Sequence, residues 1–127
     1  MKVLHINDQA GVSCILAKYQ RINGIESKVL SSNISDKFGI LKFYKDYVNV
    51  VNSTKFVDYC ISEAKNADII HIHSNEALVF KIREIFGIQK IILHYHGTDI
   101  RGFKTNNNSK ISTLQNIKNK KKLFTHK

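Results

Sequence analysis

The sequence predicts an α/β fold, an open parallel β-sheet with helices on both of its faces. Three observations support this prediction. Short β-branched runs alternate along the chain with longer segments of helical periodicity. The chain has 127 residues, which fits one domain, and 43% of them are hydrophobic, enough to form a buried core. Turn and cap residues separate the runs, so that four or five strands can be placed.

The first strand–helix–strand unit covers about 30 residues, as expected for a building block of parallel sheets. Lys2 to Ile6 is predicted to be a short buried strand. Ser13 is a favourable N-cap for the following helix. Apolar residues follow this cap at helical spacing: Ile15, Tyr19 and Ile22. Asn23-Gly24 supplies a stop signal, and Ser27 to Leu30 is predicted to be the second strand.

The rest of the chain continues this alternation, although residues 31–52 fit either a helix or a strand. One helical stripe follows, formed by Phe56, Val57, Cys60, Ile61 and Ala64. The run from Ile69 to His73 is typical of a buried strand. Asn75 can cap another helix that stops at Gly87, and Lys90 to His94 is the last predicted strand. The inward positions of that helix are predicted to be Leu78, Ile82, Ile85 and Phe86.

The charge of the chain is concentrated at one end. The formal net charge is +10, and residues 104–127 contain seven lysines and no acidic residue. We therefore predict a folded domain at residues 1–103 and a weakly ordered Lys/Asn-rich tail at residues 104–127. The tail could contact anionic lipid, but only Phe124 interleaves with its lysines, so specific nucleic-acid recognition is not expected.

The cysteines and the hydrophobic runs indicate a cytoplasmic protein, with peripheral membrane contact as the alternative. Cys14 and Cys60 are two lone thiols on predicted helices, which is typical of small core residues rather than of a disulfide framework. No apolar run approaches the roughly 20 residues that a membrane helix needs, and the N-terminus offers no signal peptide.

Polar clusters follow three of the predicted strands, at Asn7–Ser13, His73–Glu76 and His94–Arg101. In an open parallel sheet, ligands bind beyond the carboxyl ends of the strands, so these clusters are expected to converge on one site. Gly11 stands just before a helix, where glycine permits close approach and free N–H groups attract phosphate. A plain turn at Gly11 is the alternative.

The histidines form two His-x-His pairs on neighbouring predicted strands, and each pair shares one face of its strand. Such pairs suggest zinc. The inner members, His71 and His94, lie within apolar strands, however, and are expected to be hydrogen-bonded core histidines. No cysteine completes a ligand set, so we predict no metal site.

The segment from His96 to Arg101 offers the richest chemistry. His96 can donate to a phosphate or a sugar hydroxyl, and Gly97 allows close approach. Asp99 can accept from hydroxyls, and Arg101 can pair with phosphate. The alternative is that Asp99 caps a helix and Arg101 lies on the surface.

The order and spacing of four segments resemble the N-terminal domain of family 4 glycosyltransferases. The resemblance covers about residues 1–103, and its most specific part is the last segment. The segments are Lys2-Val3-Leu4-His5-Ile6, Gln9-Ala10-Gly11-Val12-Ser13, Ala67-Asp68-Ile69-Ile70-His71-Ile72-His73-Ser74 and His94-Tyr95-His96-Gly97-Thr98-Asp99-Ile100-Arg101-Gly102. The family often has two adjacent glycines in the first loop, where this chain has Ala10-Gly11.

This resemblance implies a Rossmann-like domain that is one half of a GT-B fold. Such enzymes transfer a sugar from a nucleotide-sugar to an acceptor hydroxyl, usually with retention of configuration and without a metal or other cofactor. His96 is the expected catalytic residue. The expected substrate-binding residues are Gly11, Ser13, His73, Gly97, Asp99 and Arg101.

The expected partners are a nucleotide-sugar and a glycan or lipid-linked acceptor. The C-terminal half of the family, which makes most donor contacts, is absent from this sequence. We therefore expect a truncated or split enzyme that needs a donor-binding domain or subunit and is inactive alone. Two alternatives remain at this point: a non-catalytic module that binds an acceptor or partner, and a small zinc metallohydrolase that uses the His-x-His pairs.

Overall fold

A computed structural model describes residues 1–97 of the chain. Within them, residues 1–96 form one compact unit. Asp99, Arg101, the predicted boundary at residue 103 and the Lys/Asn-rich tail all lie outside the described residues. The elements follow the order β1 (Lys2–Ile6), α1 (Val12–Ile22), β2 (Glu26–Ser32), β3 (Val48–Val51), α2 (Phe56–Ala64), β4 (Ile69–His73), α3 (Glu76–Phe86) and β5 (Lys90–His94), with short 3₁₀ turns at Leu41–Tyr44 and Ser53–Lys55.

The predicted α/β fold with an open parallel sheet is confirmed. The five described strands pair in the order β3-β2-β1-β4-β5, and each pair is parallel. Strands β2 and β3 therefore lie on one side of β1, and the later strands β4 and β5 lie on its other side. This reversal between β1 and β4 creates the crevice at which doubly wound sheets bind their ligands.

The two faces of the sheet carry separate cores. Alternate residues of the central strands, such as Leu4, Ile6 and Ile70, pack with residues of α2 and α3. On the opposite face, Cys14 and Ala17 of α1 pack against Val29 of β2. Because side chains alternate across a strand, His5 lies on the α1 face, where it contacts Gln20 of that helix.

Helix α1 differs from the prediction in its start and in its buried face. The helix begins at Val12 with Gly11 as N-cap, so Ser13 is not the cap but a buried residue of the first turn. Its buried residues are the small side chains Ser13, Cys14 and Ala17. The predicted stripe is largely exposed, with Ile15 at 42%, Tyr19 at 59% and Ile22 at 67%. Small residues face the sheet because they let the helix approach it closely, which outweighs the apolar spacing.

The other helices follow the prediction more closely. Asn75 caps α3, since its Oδ1 accepts from the Leu78 backbone N at 3.1 Å, and Gly87 terminates that helix. Leu78 and Ile82 are buried, whereas Ile85 is 51% exposed, so the prediction that it faces inward is wrong. Residues 31–52 supply the fifth strand, β3, preceded by a single 3₁₀ turn.

Both cysteines are free and buried, as predicted from the sequence. Burial is the main cause that raises the pKa of the Cys14 thiol, and of the Cys60 thiol, to about 12. Both side chains therefore stay protonated and behave as small apolar residues of the two cores. Among the described residues, no helix is both long enough and apolar enough to cross a bilayer.

Candidate functional site at the carboxyl edge of the sheet

The loops after β1 and β4 are joined directly at the carboxyl edge. Asn7 Nδ2 donates to the backbone oxygen of His73 at 3.2 Å. Asn7, Ala10 and Ser74 all have positive φ angles, of 66°, 54° and 56°. Side-chain-bearing residues adopt this conformation only where the surrounding structure enforces it, and such positions concentrate at functional sites. We call this region, formed by residues 7–13, 73–76 and 94–96, the carboxyl-edge site.

Asp8 organises the loop between β1 and α1. Its two carboxylate oxygens accept from the backbone N of Gly11 at 3.0 Å and of Ser13 at 2.7 Å. The Ser13 hydroxyl donates to the Asn7 backbone oxygen at 2.6 Å, which fixes the same turn. Asp8 thus supplies a negative charge to the start of α1, where amide groups are otherwise unpaired. From the sequence we expected this loop to bind phosphate, with a plain turn at Gly11 as the alternative, and we did not identify Asp8.

Gly11 is required here for two structural reasons. Its φ angle of +83° lies in the left-handed region. A Cβ atom added to Gly11 would lie 3.0 Å from Cε2 of Tyr44 and 3.1 Å from its hydroxyl oxygen. The space that a ligand would use beside the Gly11 Cα therefore holds an aromatic ring.

Five histidines form a continuous column across three strands, which we call the histidine column: His5, His71, His73, His94 and His96. The register pairs His5 of β1 with His71 of β4, and His73 of β4 with His94 of β5. Neighbouring ring centroids lie 4.3 to 5.9 Å apart, and the His94 and His96 rings stack at 4.5 Å. The parallel register therefore places both His-x-His pairs, together with His5, on one face.

The central members of this column are held neutral by their surroundings. Burial, reinforced by neighbouring histidines, lowers the pKa of His71 to about 4 and that of His73 to about 3. Burial also lowers the pKa of His5, although the Gln20 hydrogen bond and the Asp8 charge oppose this shift. A charged imidazole is costly where it would lose water and face other positive rings. These rings therefore offer lone pairs rather than charge at neutral pH.

Three ring nitrogens in the column are buried without a hydrogen-bond partner: His5 Nδ1, His71 Nε2 and His73 Nε2. The sequence led us to expect His71 to be a hydrogen-bonded core histidine, but its Nε2 makes no such bond. Buried polar atoms are paired in most proteins, so three unpaired atoms in one cluster require an explanation.

His73 and His96, two of the predicted site residues, are in direct contact at this edge. His73 Nδ1 lies 3.0 Å from His96 Nε2. His73 is fully buried, whereas His96 is partly exposed at the rim beside Gly97. Tyr95, between the two strand-end histidines, donates its hydroxyl to Glu76 Oε1 at the start of α3. The buried ring can thus orient the accessible one.

The predicted site residues are distributed unequally around this edge. Gly11 lies in the loop after β1 and Ser13 in the first turn of α1, while His73 ends β4 and His96 follows β5. Gly97 belongs to the second compact unit of the chain, which begins at that residue. Asp99 and Arg101 fall outside the described residues. Sequence reasoning missed Asp8, His5 and Tyr44. His5 could have been found, because it occupies the same alternate face of a strand as His71 once β1 and β4 are paired.

Two concave surfaces elsewhere on the described residues are lined by charged, polar and apolar side chains without a histidine. One lies at the opposite, amino edge and is lined by Lys2, Glu26, Lys28 and Glu63. Lys28 and Glu63 already pair with each other there, at 2.7 Å. Another lies beside β3 around Asp36. The histidine column lines neither of these two surfaces.

Comparisons of this chain with protein-family models, with curated proteins and with solved structures gave no match.

Proposed function

We propose that this chain is the acceptor-side half of a GT-B glycosyltransferase, with His96 at the reaction centre. The single observation that carries the proposal is the contact between His73 and His96 at the carboxyl edge, next to the reversal of strand order. Sheets of this topology bind ligands at that reversal. The motif around His96 is also the segment with the most specific resemblance to family 4 glycosyltransferases.

The contact suggests distinct roles for the two rings. His73 is buried and is a positioning residue, because its Nδ1 fixes the His96 ring through the 3.0 Å contact. His96 is partly exposed at the rim, where an imidazole can form a hydrogen bond with a sugar hydroxyl. Transfer itself requires groups that stabilise the departing nucleotide diphosphate. We assign those groups to a separate donor-binding domain or subunit.

A titration followed by NMR tests this proposal on the chain itself. UDP-glucose and GDP-mannose serve as donor probes, with UDP and GDP as references that lack the sugar. We expect the largest backbone shifts at residues 11–13, 73–74 and 96–97. The His96→Ala variant should lose the preference for the sugar-bearing probe over its nucleotide while keeping the wild-type spectrum elsewhere.

A matched control lies at the amino edge. Lys28→Met changes a charged residue of the concave surface there and should leave the probe response unchanged. The proposal is wrong if none of the four probes shifts the carboxyl-edge residues at millimolar concentration. It is also wrong if the largest shifts surround Lys2 and Glu26.

One observation favours a second candidate, a non-catalytic module that binds a saccharide but no nucleotide. Asp8 already accepts from the Gly11 and Ser13 amides, and its charge repels a phosphate at this position. Such a module would respond to free mono- and disaccharides at His96 and Gly97 but not to UDP or GDP. The same titration therefore separates the two candidates.

A further inference from the structure

Three ring nitrogens of the histidine column are buried and make no hydrogen bond. They belong to His5, His71 and His73, which we call the three-histidine group. One ring nitrogen from each residue lies within 4.8 Å of the other two. His5 and His73 are fully buried, and His71 is partly exposed. The group lies on the α1 face of the sheet, where His5 contacts Gln20 of that helix.

The proton on His5 can be placed from its neighbours. Gln20 Oε1 accepts from His5 Nε2 at 2.8 Å and from the Ser27 hydroxyl at 2.7 Å. His5 therefore carries its hydrogen on Nε2, and its Nδ1 presents a bare lone pair. An amide oxygen that accepts from one ring nitrogen and leaves the other free is the usual second-shell arrangement of a metal-binding histidine.

His73 has the corresponding arrangement on the other side of the group. Its Nδ1 lies 3.0 Å from His96 Nε2, and in the tautomer that carries the hydrogen on Nδ1, His73 donates that hydrogen to His96. His73 Nε2 is then also a bare lone pair, buried and without a partner. Neutral imidazoles with free lone pairs are the form that binds transition metals.

We propose that His5, His71 and His73 form a binding site for a divalent transition metal of the zinc class. Three neutral imidazoles suit Zn²⁺, Ni²⁺ and Cu²⁺ rather than Mg²⁺ or Ca²⁺, which require oxygen ligands. Three histidines leave one tetrahedral position open for water or another ligand. This site shares His73 with the proposed transferase function, but metal binding can be measured without assuming that function.

The geometry needs only a modest adjustment to accept the ion. Zinc–nitrogen bonds of about 2.0–2.1 Å place tetrahedral ligand atoms about 3.3 Å apart. The nitrogens of the group, within 4.8 Å of one another, reach that separation when the rings rotate toward a common centre. A second set, His73, His94 and His96, also lies within this range. We place the ion in the first set because each of its three residues has a buried ring nitrogen without a hydrogen-bond partner.

Metal binding can be measured on the full, untagged chain after treatment with a chelator. Equilibrium dialysis against micromolar Zn²⁺, followed by elemental analysis, should give one zinc per chain. Co²⁺ should produce the intense visible bands of a four-coordinate site. His71→Gln should weaken zinc binding at least about 100-fold, because even second-shell partners contribute 10–100-fold. Gln20→Leu should weaken it about tenfold, for the same reason.

Two control variants locate the site. His94→Gln changes a neighbouring ring of the same column, and His126→Gln removes the histidine of the tail. Both should bind zinc as tightly as the wild-type chain. The proposal fails if the wild-type chain takes up no stoichiometric zinc, if His71→Gln retains full affinity, or if His94→Gln loses as much affinity as His71→Gln.

A measurement on the unmodified chain decides the matter if a variant does not fold. Long-range ¹H–¹⁵N spectra of the imidazoles report which nitrogens change when Zn²⁺ is added. We expect changes at His5 Nδ1, His71 Nε2 and His73 Nε2. Changes confined to His94, His96 or His126 would overturn the assignment.

Discussion

Acidification of the metal-free protein should reveal how the histidine column affects stability. The pKa of His71 is lowered to about 4 and that of His73 to about 3, mainly by burial, from an ordinary value of 6.5. Above pH 6.5, both residues are neutral in the folded and in the unfolded chain. As the pH falls below 6.5, the unfolded chain binds protons that the folded chain excludes. The contribution of these two histidines to the free energy of unfolding is therefore fully present above pH 6.5, and it is lost progressively as the pH falls toward 4 and 3.

The size of the effect follows from the number of protons. One proton contributes about 1.4 kcal/mol per pH unit to the free energy of unfolding. Between pH 6.5 and pH 5, each histidine therefore lowers that free energy by about 2 kcal/mol. Because His71 is partly exposed and water screens its charge, we expect a combined loss of about 2–4 kcal/mol. This loss is a large part of the 5–15 kcal/mol typical of a domain.

Urea unfolding in the presence of EDTA at pH 7, 6 and 5 measures this loss. The dependence of the unfolding free energy on pH gives the proton uptake directly, and we expect between one and two protons. His71→Asn should reduce that uptake by about one proton, which assigns the effect to the column. An unfolding free energy that is the same at pH 7 and pH 5 would refute the reasoning, because both rings would then titrate normally when folded.

Three further predictions concern the loop after β1, and each is measured as a change in the free energy of unfolding. Gly11→Ala should lower the free energy of unfolding by about 2–3 kcal/mol, because it adds a close contact with Tyr44 to a left-handed backbone. The control Gly24→Ala should lower it by only about 1 kcal/mol, because Gly24 has a φ of +77° but no atom lies within 4 Å of the added Cβ. Equal costs at the two glycines would show that the Tyr44 ring yields freely. Ala10→Gly should stabilise the protein by about 0.5–1 kcal/mol, since Ala10 has a φ angle of 54°, and a loss of stability would contradict the strain. Asp8→Ala should cost about 1–2 kcal/mol by removing the acceptor of two amides at the start of α1, and no change would show that water replaces it.

The sheet could be predicted because its strands are defined by local patterns. The limits of β1, β4 and β5 follow from short β-branched runs with polar residues or turn signals at their ends, and each agrees with the structure. The buried face of α1 could not be predicted in this way. A helix that packs closely on a sheet needs small residues at the contact, so Cys14 and Ala17 are buried and the bulkier Ile15 and Tyr19 are not.

The candidate site could be predicted only in part, for a different physical reason. Strand-end residues such as His73 and His96 are recognisable because parallel strands bring their carboxyl ends to one edge. The role of Asp8 depends on the path of a loop with three positive φ angles, at Asn7, Ala10 and Gly11, which no periodicity reveals. The role of His5 depends on pairing between β1 and β4, which lie more than 60 residues apart in the chain.

The central position of β1 also affects how the protein emerges during synthesis. One edge of β1 can pair with β2 soon after both strands are synthesised. Its other edge stays unpaired until β4 is synthesised, about 40 residues after β2. At a translation rate of about 5–20 residues per second, that delay lasts roughly 2–8 seconds. Throughout this interval, the nascent chain presents an unpaired apolar strand edge from Val3 to Ile6, the kind of surface that chaperones shield and that neighbouring nascent chains can join.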